Sequence, residues 1–131
     1  MEIILHIMSS TEVLEHFVEG PQDKGKIVIF LQGWPDNHNV WKSLNMEETL
    51  PTTTRLFINF PNTTPTQPYL KWGQDFPVLV ERIKASFDQV GVDGYRQKML
   101  VGHDWGAIYA HLYDKVSIEE DRPTRERLIR L

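Results

Sequence analysis

Lys98-Met99-Leu100-Val101-Gly102-His103-Asp104-Trp105-Gly106-Ala107 is an apolar strand that runs through Gly-x-Asp-x-Gly into Ile108-Tyr109-Ala110-His111-Leu112-Tyr113, an apolar helix. A sharp strand-to-helix turn forces its middle residue into a strained backbone conformation. The residues two before and two after it then pack too closely for side chains, which suits Gly102 and Gly106. The turn lifts the Asp104 side chain above the sheet edge, close to free backbone N–H groups at the start of the next helix. A carboxylate held there is ionised at neutral pH and needs no base to act as a nucleophile. Taken alone, Gly-x-Asp-x-Gly fits an ordinary loop with Asp104 as a helix N-cap equally well. The strand before it and the helix after it favour the sharp turn.

Upstream, Ile27-Val28-Ile29-Phe30-Leu31 is apolar without alternation and rich in β-branched residues, as a strand covered on both faces requires. Gln32-Gly33-Trp34-Pro35-Asp36-Asn37 breaks it, and Val40, Trp41 and Leu44 follow at helical spacing, predicted to face a core. Arg55 to Phe60 is the next strand, and the proline- and threonine-rich Pro61 to Pro68 can only be loop. Asp75 is placed to cap a helix with Pro77 in its first turn. Phe76, Val80, Ile83, Phe87 and Val90 recur at spacings that put them on one face of that helix, which Gly91 stops. At the N-terminus, Ile3–Met8 and Glu12–Val18 read as a strand pair, with a capped helix from Ser10 as the alternative. Arg127-Leu128-Ile129-Arg130-Leu131 starts a further strand. Alternating strands and helices with no dividing linker predict one open α/β domain over 1–131, with a mostly parallel sheet and helices on both faces.

Composition narrows the function classes. The 131 residues hold 14 Lys+Arg and 18 Asp+Glu, a formal net charge of −4, with 40% hydrophobic residues. That balance gives no global positive field, so no nucleic-acid partner is expected. Arg122, Arg125, Arg127 and Arg130 alternate with Glu119, Glu120, Asp121 and Glu126, a solvated mixed-sign segment. The chain has no cysteine, which excludes disulfides, thiolate metal sites and a cysteine nucleophile. The five histidines show no metal-ligand spacing, so neither a metal nor an organic cofactor is expected. No run of about 18 apolar residues spans a membrane, and the acidic start argues against a signal peptide. A cytoplasmic location is the expectation.

Leu31-Gln32-Gly33-Trp34-Pro35-Asp36 resembles the His-Gly-x-Pro oxyanion segment of α/β-hydrolases, and Val101-Gly102-His103-Asp104-Trp105-Gly106-Ala107 resembles the nucleophile elbow of the epoxide-hydrolase-like branch. The resemblance runs from about Glu12 to Tyr113. It implies an incomplete α/β-hydrolase fold, the N-terminal part of a single domain without its cap and C-terminal strands. It also implies a small-molecule substrate and a two-step reaction. Asp104 would attack an electrophilic carbon to form an alkyl ester, and an activated water would then hydrolyse it. By analogy the backbone N–H groups of Trp34 and Trp105 would hold the oxyanion of the second step, each such donor commonly worth about 3 kcal/mol. The Trp34 and Trp105 side chains would line the substrate pocket.

Three departures qualify that expectation. Gln32 stands where the family usually has His. Asn59-Phe60-Pro61-Asn62-Thr63-Thr64-Pro65 replaces the Asp-x-x-Gly-x-Gly-x-Ser run that usually supports the oxyanion segment. None of His6, His16, His38, His103 or His111 matches the family's C-terminal catalytic His, and Tyr69, Tyr95, Tyr109 and Tyr113 all precede the cap position. Two alternatives therefore stand beside an epoxide-hydrolase-like enzyme. One is a catalytically incomplete chain without turnover, whose exposed sheet edge invites self-association. The other is an esterase- or dehalogenase-type member of the same fold.

Overall fold

The computed structural model describes residues 12–119 and 128–130. The expected strand Ile3–Met8 and most of the mixed-sign tail lie outside the described residues. Among the described residues five strands form one sheet: β1 (Glu15–Glu19), β2 (Lys26–Leu31), β3 (Thr54–Asn59), β4 (Gln97–Gly102) and β5 (Leu128–Arg130), in the order β1-β3-β2-β4-β5. The pairs β2/β3, β2/β4 and β4/β5 are parallel, and only β1/β3 is antiparallel. A 3₁₀ segment (His38–Leu44) and the short helix α1 (Met46–Thr49) connect β2 to β3. Helices α2 (Phe76–Val90) and α3 (Trp105–Glu119) follow β3 and β4.

Successive side chains of a strand point to opposite faces, so each central strand needs apolar residues at both parities. Ile27, Ile29 and Leu31 of β2 join Leu56 and Ile58 of β3 in a core against Leu79, Ile83 and Phe87 of α2 and Ala110 and Tyr113 of α3. Phe87 and Tyr113 lock the two helices together edge-to-face, their rings 4.8 Å apart. Val28, Phe30, Phe57 and Val101 face the other way and pack under Trp41, Met46 and Leu50. The sheet is therefore covered on both faces, by two long helices on one side and the β2–β3 connection on the other.

Several expectations need correction. Of Val40, Trp41 and Leu44, only Trp41 is buried. The segment is 3₁₀, with about three residues per turn, so positions four apart do not share a face; Asn45 then takes a left-handed φ of 52° and turns the chain into α1. Of the three, Trp41 reaches the sheet, its ring 4.9 Å from that of Phe30. Asp75 holds the N-cap position of α2, but its side chain makes no capping hydrogen bond. Phe76 is 41% exposed because the first turn of α2 stands clear of the core, while Leu79 and Ser86 join Val80, Ile83 and Phe87 in the buried stripe. The helix alternative near Ser10 gives way to strand at Glu15–Glu19, which pairs with β3. Among the described residues no helix is long and apolar enough to cross a membrane.

Candidate active site

The C-terminal ends of β2 and β4 meet at Asp104. His103 N–H donates to the Leu31 carbonyl (3.0 Å), carrying the ladder one step past the two strands. The chain then turns sharply: Asp104 has φ 57°, Gly106 N–H donates to His103 O, and Ala107 N–H donates to Asp104 O, both at 2.9 Å. Left-handed backbone is unfavourable for a residue with a Cβ, and Asp and Asn tolerate it best. The Asp104 side chain stands exposed at the start of α3.

The glycines are explained by contact. A Cβ at Gly102 would lie 2.7 Å from Ala107 Cα and 2.8 Å from Gly106 O. A Cβ at Gly106 would overlap the Leu31 carbonyl. Gly33 carries the third close approach: a Cβ there would lie 2.7 Å from Asp104 Oδ2 and 2.8 Å from Asp104 Cβ. The two motifs thus touch, with the backbone of the Gln32-Gly33-Trp34 segment laid directly against the Asp104 carboxylate. The motif reading supplied a place for Gly33 but not this contact.

Trp34 and Trp105 flank the turn with exposed rings, 62% and 43% exposed. Trp34 is joined to Pro35 by a cis peptide bond. Trp105 packs against Phe76 with ring centroids 5.9 Å apart, and Phe76 and Phe60 both pack on Tyr109 at 5.6 and 4.5 Å. Tyr109 is half-buried there, and burial raises its pKa above the ordinary value. Sequence reasoning missed this aromatic wall because Phe76 read as part of a core-facing stripe and Tyr109 only as a residue of the helix after the turn.

The Gln32-Gly33-Trp34 segment rests on a buried polar cluster. Gln32 and Asn59 are both fully buried. Gln32 Nε2 donates to Ile58 O (2.6 Å) and to Asn59 Oδ1 (3.3 Å), while Trp41 Nε1 donates to Gln32 Oε1 (3.3 Å). Asn59 Oδ1 also accepts from His38 N–H (2.7 Å), and Asn59 Nδ2 donates to Glu15 Oε1 (2.9 Å). The only sequence signal for this was a pair of amides, Gln32 and Asn59, at the ends of two apolar strands.

Four histidines lie among the described residues. His16 Nδ1 bonds Leu14 O (2.7 Å), His38 bonds Asn59, and the His103 ring lies edge-on to Trp41 at 6.5 Å. His111 lies within α3, beyond the turn. Among the described residues no group of three or more His, Asp or Glu side chains is placed to hold a metal ion.

No family model matches the chain, and no curated protein matches its sequence. Solved structures do. An α/β hydrolase, MGS-M2, from a Medee basin deep-sea metagenome library superposes with a TM-score of 0.74 at 15% identity, covering 89% of this chain and 40% of its own. An epoxide hydrolase from Bacillus megaterium matches with a TM-score of 0.66 at 23% identity, covering 89% and 38%. An esterase from Exiguobacterium antarcticum matches with a TM-score of 0.68 at 18% identity, covering 89% and 40%. The chain thus spans about two fifths of the length of these structures.

Proposed function

Because this chain has an incomplete α/β-hydrolase fold, we propose that it belongs to a hydrolase in which Asp104 is the nucleophile towards a small electrophile, an epoxide in the first instance. The observation that carries this is a carboxylate held at a left-handed φ of 57° and pressed against the backbone at Gly33. A left-handed backbone that holds an exposed carboxylate against a neighbouring segment is the kind of strain that clusters at functional sites. An Asp Oδ attacks the less hindered epoxide carbon, the ring C–O bond breaks, and the alkoxide takes a proton from solvent or a nearby acid. The product is a hydroxyalkyl ester of Asp104. Water then adds to the ester carbonyl, the oxyanion is held by the backbone N–H groups of Trp34 and Trp105, and the collapse releases a diol and regenerates the carboxylate. The exposed rings of Trp34 and Trp105 form the apolar rim that binds the substrate.

Neighbours with esterase activity keep a second reading alive, but a carboxylate at position 104 favours alkylation over acyl transfer. None of the described histidines is placed to activate the water. We read the 131 residues as the N-terminal part of a longer hydrolase domain that supplies the base, which the two-fifths coverage of the neighbours supports. The chain on its own should therefore stop at the ester. Incubation with styrene oxide is expected to add one epoxide mass to the 15.3 kDa chain, mapped to Asp104 and absent in Asp104→Asn. An adduct elsewhere, or turnover of a nitrophenyl ester without any adduct, sinks the carboxylate mechanism.

Among the described residues β5 pairs only with β4, and an open sheet edge recruits other chains. Self-association along it belongs to the same proposal. Sedimentation should show species heavier than the monomer, and a monomer at every concentration overturns it.

A further inference from the structure

We infer that Asn59 is the positioning residue of the Gly33–Trp34 backbone, acting through Gln32. The inference rests on the reading of Trp34 N–H as an oxyanion donor. The register Leu31↔Ile58 puts Gln32 and Asn59 side by side, one step beyond the last paired residues of β2 and β3. Both side chains are on the face covered by the 3₁₀ segment, and both are fully buried. A buried amide must have both its ends paired. Gln32 meets that demand with Ile58 O, Asn59 Oδ1 and Trp41 Nε1. Each of these bonds fixes the residue immediately before Gly33.

Asn59 is the hub. Its oxygen takes Gln32 and the His38 N–H, and its nitrogen reaches Glu15 Oε1. Glu15 in turn accepts from the Thr64 and Thr66 hydroxyls (3.3 and 2.5 Å), so the 61–68 loop is tied to the same carboxylate. Asn37, three residues past Trp34, donates to Thr63 O (3.1 Å). The backbone that faces Asp104 is therefore clamped from both sides: through Gln32 before it and through Asn37 after it. Two anchor points on one short segment leave it a single arrangement. That is what a pre-set hydrogen-bond donor needs, because it must not reorganise as charge develops.

The clamp acts on the second chemical step and not on the first. Attack by Asp104 on the epoxide needs no oxyanion donor, while hydrolysis of the ester does. In the 131-residue chain carrying Asn59→Ala, alkylation of Asp104 should stay within about twofold of the parent. Hydroxide-driven loss of the adduct at alkaline pH should slow by about tenfold or more. Loss of the adduct at the parent rate overturns the inference and leaves the nucleophile assignment standing.

A measurement without substrate keeps the two apart if no adduct forms at all. Backbone ¹⁵N order parameters at Gly33 and Trp34 should be near the rigid value of about 0.85 in the parent and fall below about 0.6 in Asn59→Ala. Ile29 and Leu100 should not change. Unmoved values at Gly33 and Trp34, or an equal fall at Ile29 and Leu100, overturn the inference. Should Asn59→Ala not fold, Asn59→Asp replaces it: the donor to Glu15 becomes a second carboxylate, and the segment should loosen. Adding Glu15→Gln reverses the hydrogen bond and should restore rigidity. Failure of that rescue overturns the relay through Glu15.

Discussion

Asp104 sits at φ 57°, and Gly102, Gly106 and Gly33 each have a neighbour where a Cβ would go. Gly33 lies against the Asp104 carboxylate itself, while Gly102 and Gly106 lie against backbone of the turn and of the end of β2. Two consequences follow from the conformational preferences alone. Asp104→Gly removes the Cβ from a left-handed residue and is expected to raise stability by about 0.5–1 kcal/mol while abolishing alkylation. Gly106→Ala drives a methyl group into the Leu31 carbonyl and should lower stability by about 3 kcal/mol or more. Urea denaturation of both variants reads this directly. A less stable Asp104→Gly would mean that the turn is not strained at that residue. The two flanking glycines were legible from their spacing. The need for Gly33 was not, because its neighbour is 71 residues away in sequence.

At the scale of elements, α2 shows what periodicity resolves and what it leaves open. Val80, Ile83 and Phe87 are buried as their spacing predicts, but Phe76 on the same stripe is 41% exposed. A stripe gives the direction of a side chain and not how far the sheet beneath it extends. Phe87 packs into the core against Tyr113, while Phe76 faces Trp105 and Tyr109 at the rim. Phe87→Ala should cost about 3–5 kcal/mol and Phe76→Ala less than about 1 kcal/mol. Thermal melts of the pair test this. Comparable losses would show that the first turn of α2 is part of the core. The β2–β3 connection failed in another way: the apolar spacing of Val40, Trp41 and Leu44 suited an α-helix, yet the segment is 3₁₀ and ends at the left-handed Asn45, so of the three only Trp41 is buried, with Met46 and Leu50 packing beside it.

Across the whole molecule, the chain order of strands and helices was enough to reach an open, mostly parallel sheet. The continuous apolar run at β2 means burial on both faces, and burial on both faces means helices or their equivalent on both sides. The Gly-x-Asp-x-Gly turn was legible for the same local reason: steric limits on a sharp turn are set by residues adjacent in sequence. What only the tertiary structure decided are contacts between segments far apart in the chain. Strand order put β2 between β3 and β4, and so brought Gly33 against Asp104 and Gln32 beside Asn59. Periodicity and composition are properties of neighbours along the chain, whereas register and strand order are fixed by how the whole sheet packs. The sequence by itself therefore determined the central strands, the two long helices and the turn that exposes Asp104. The structure alone determined what that carboxylate touches and what holds the touching backbone in place.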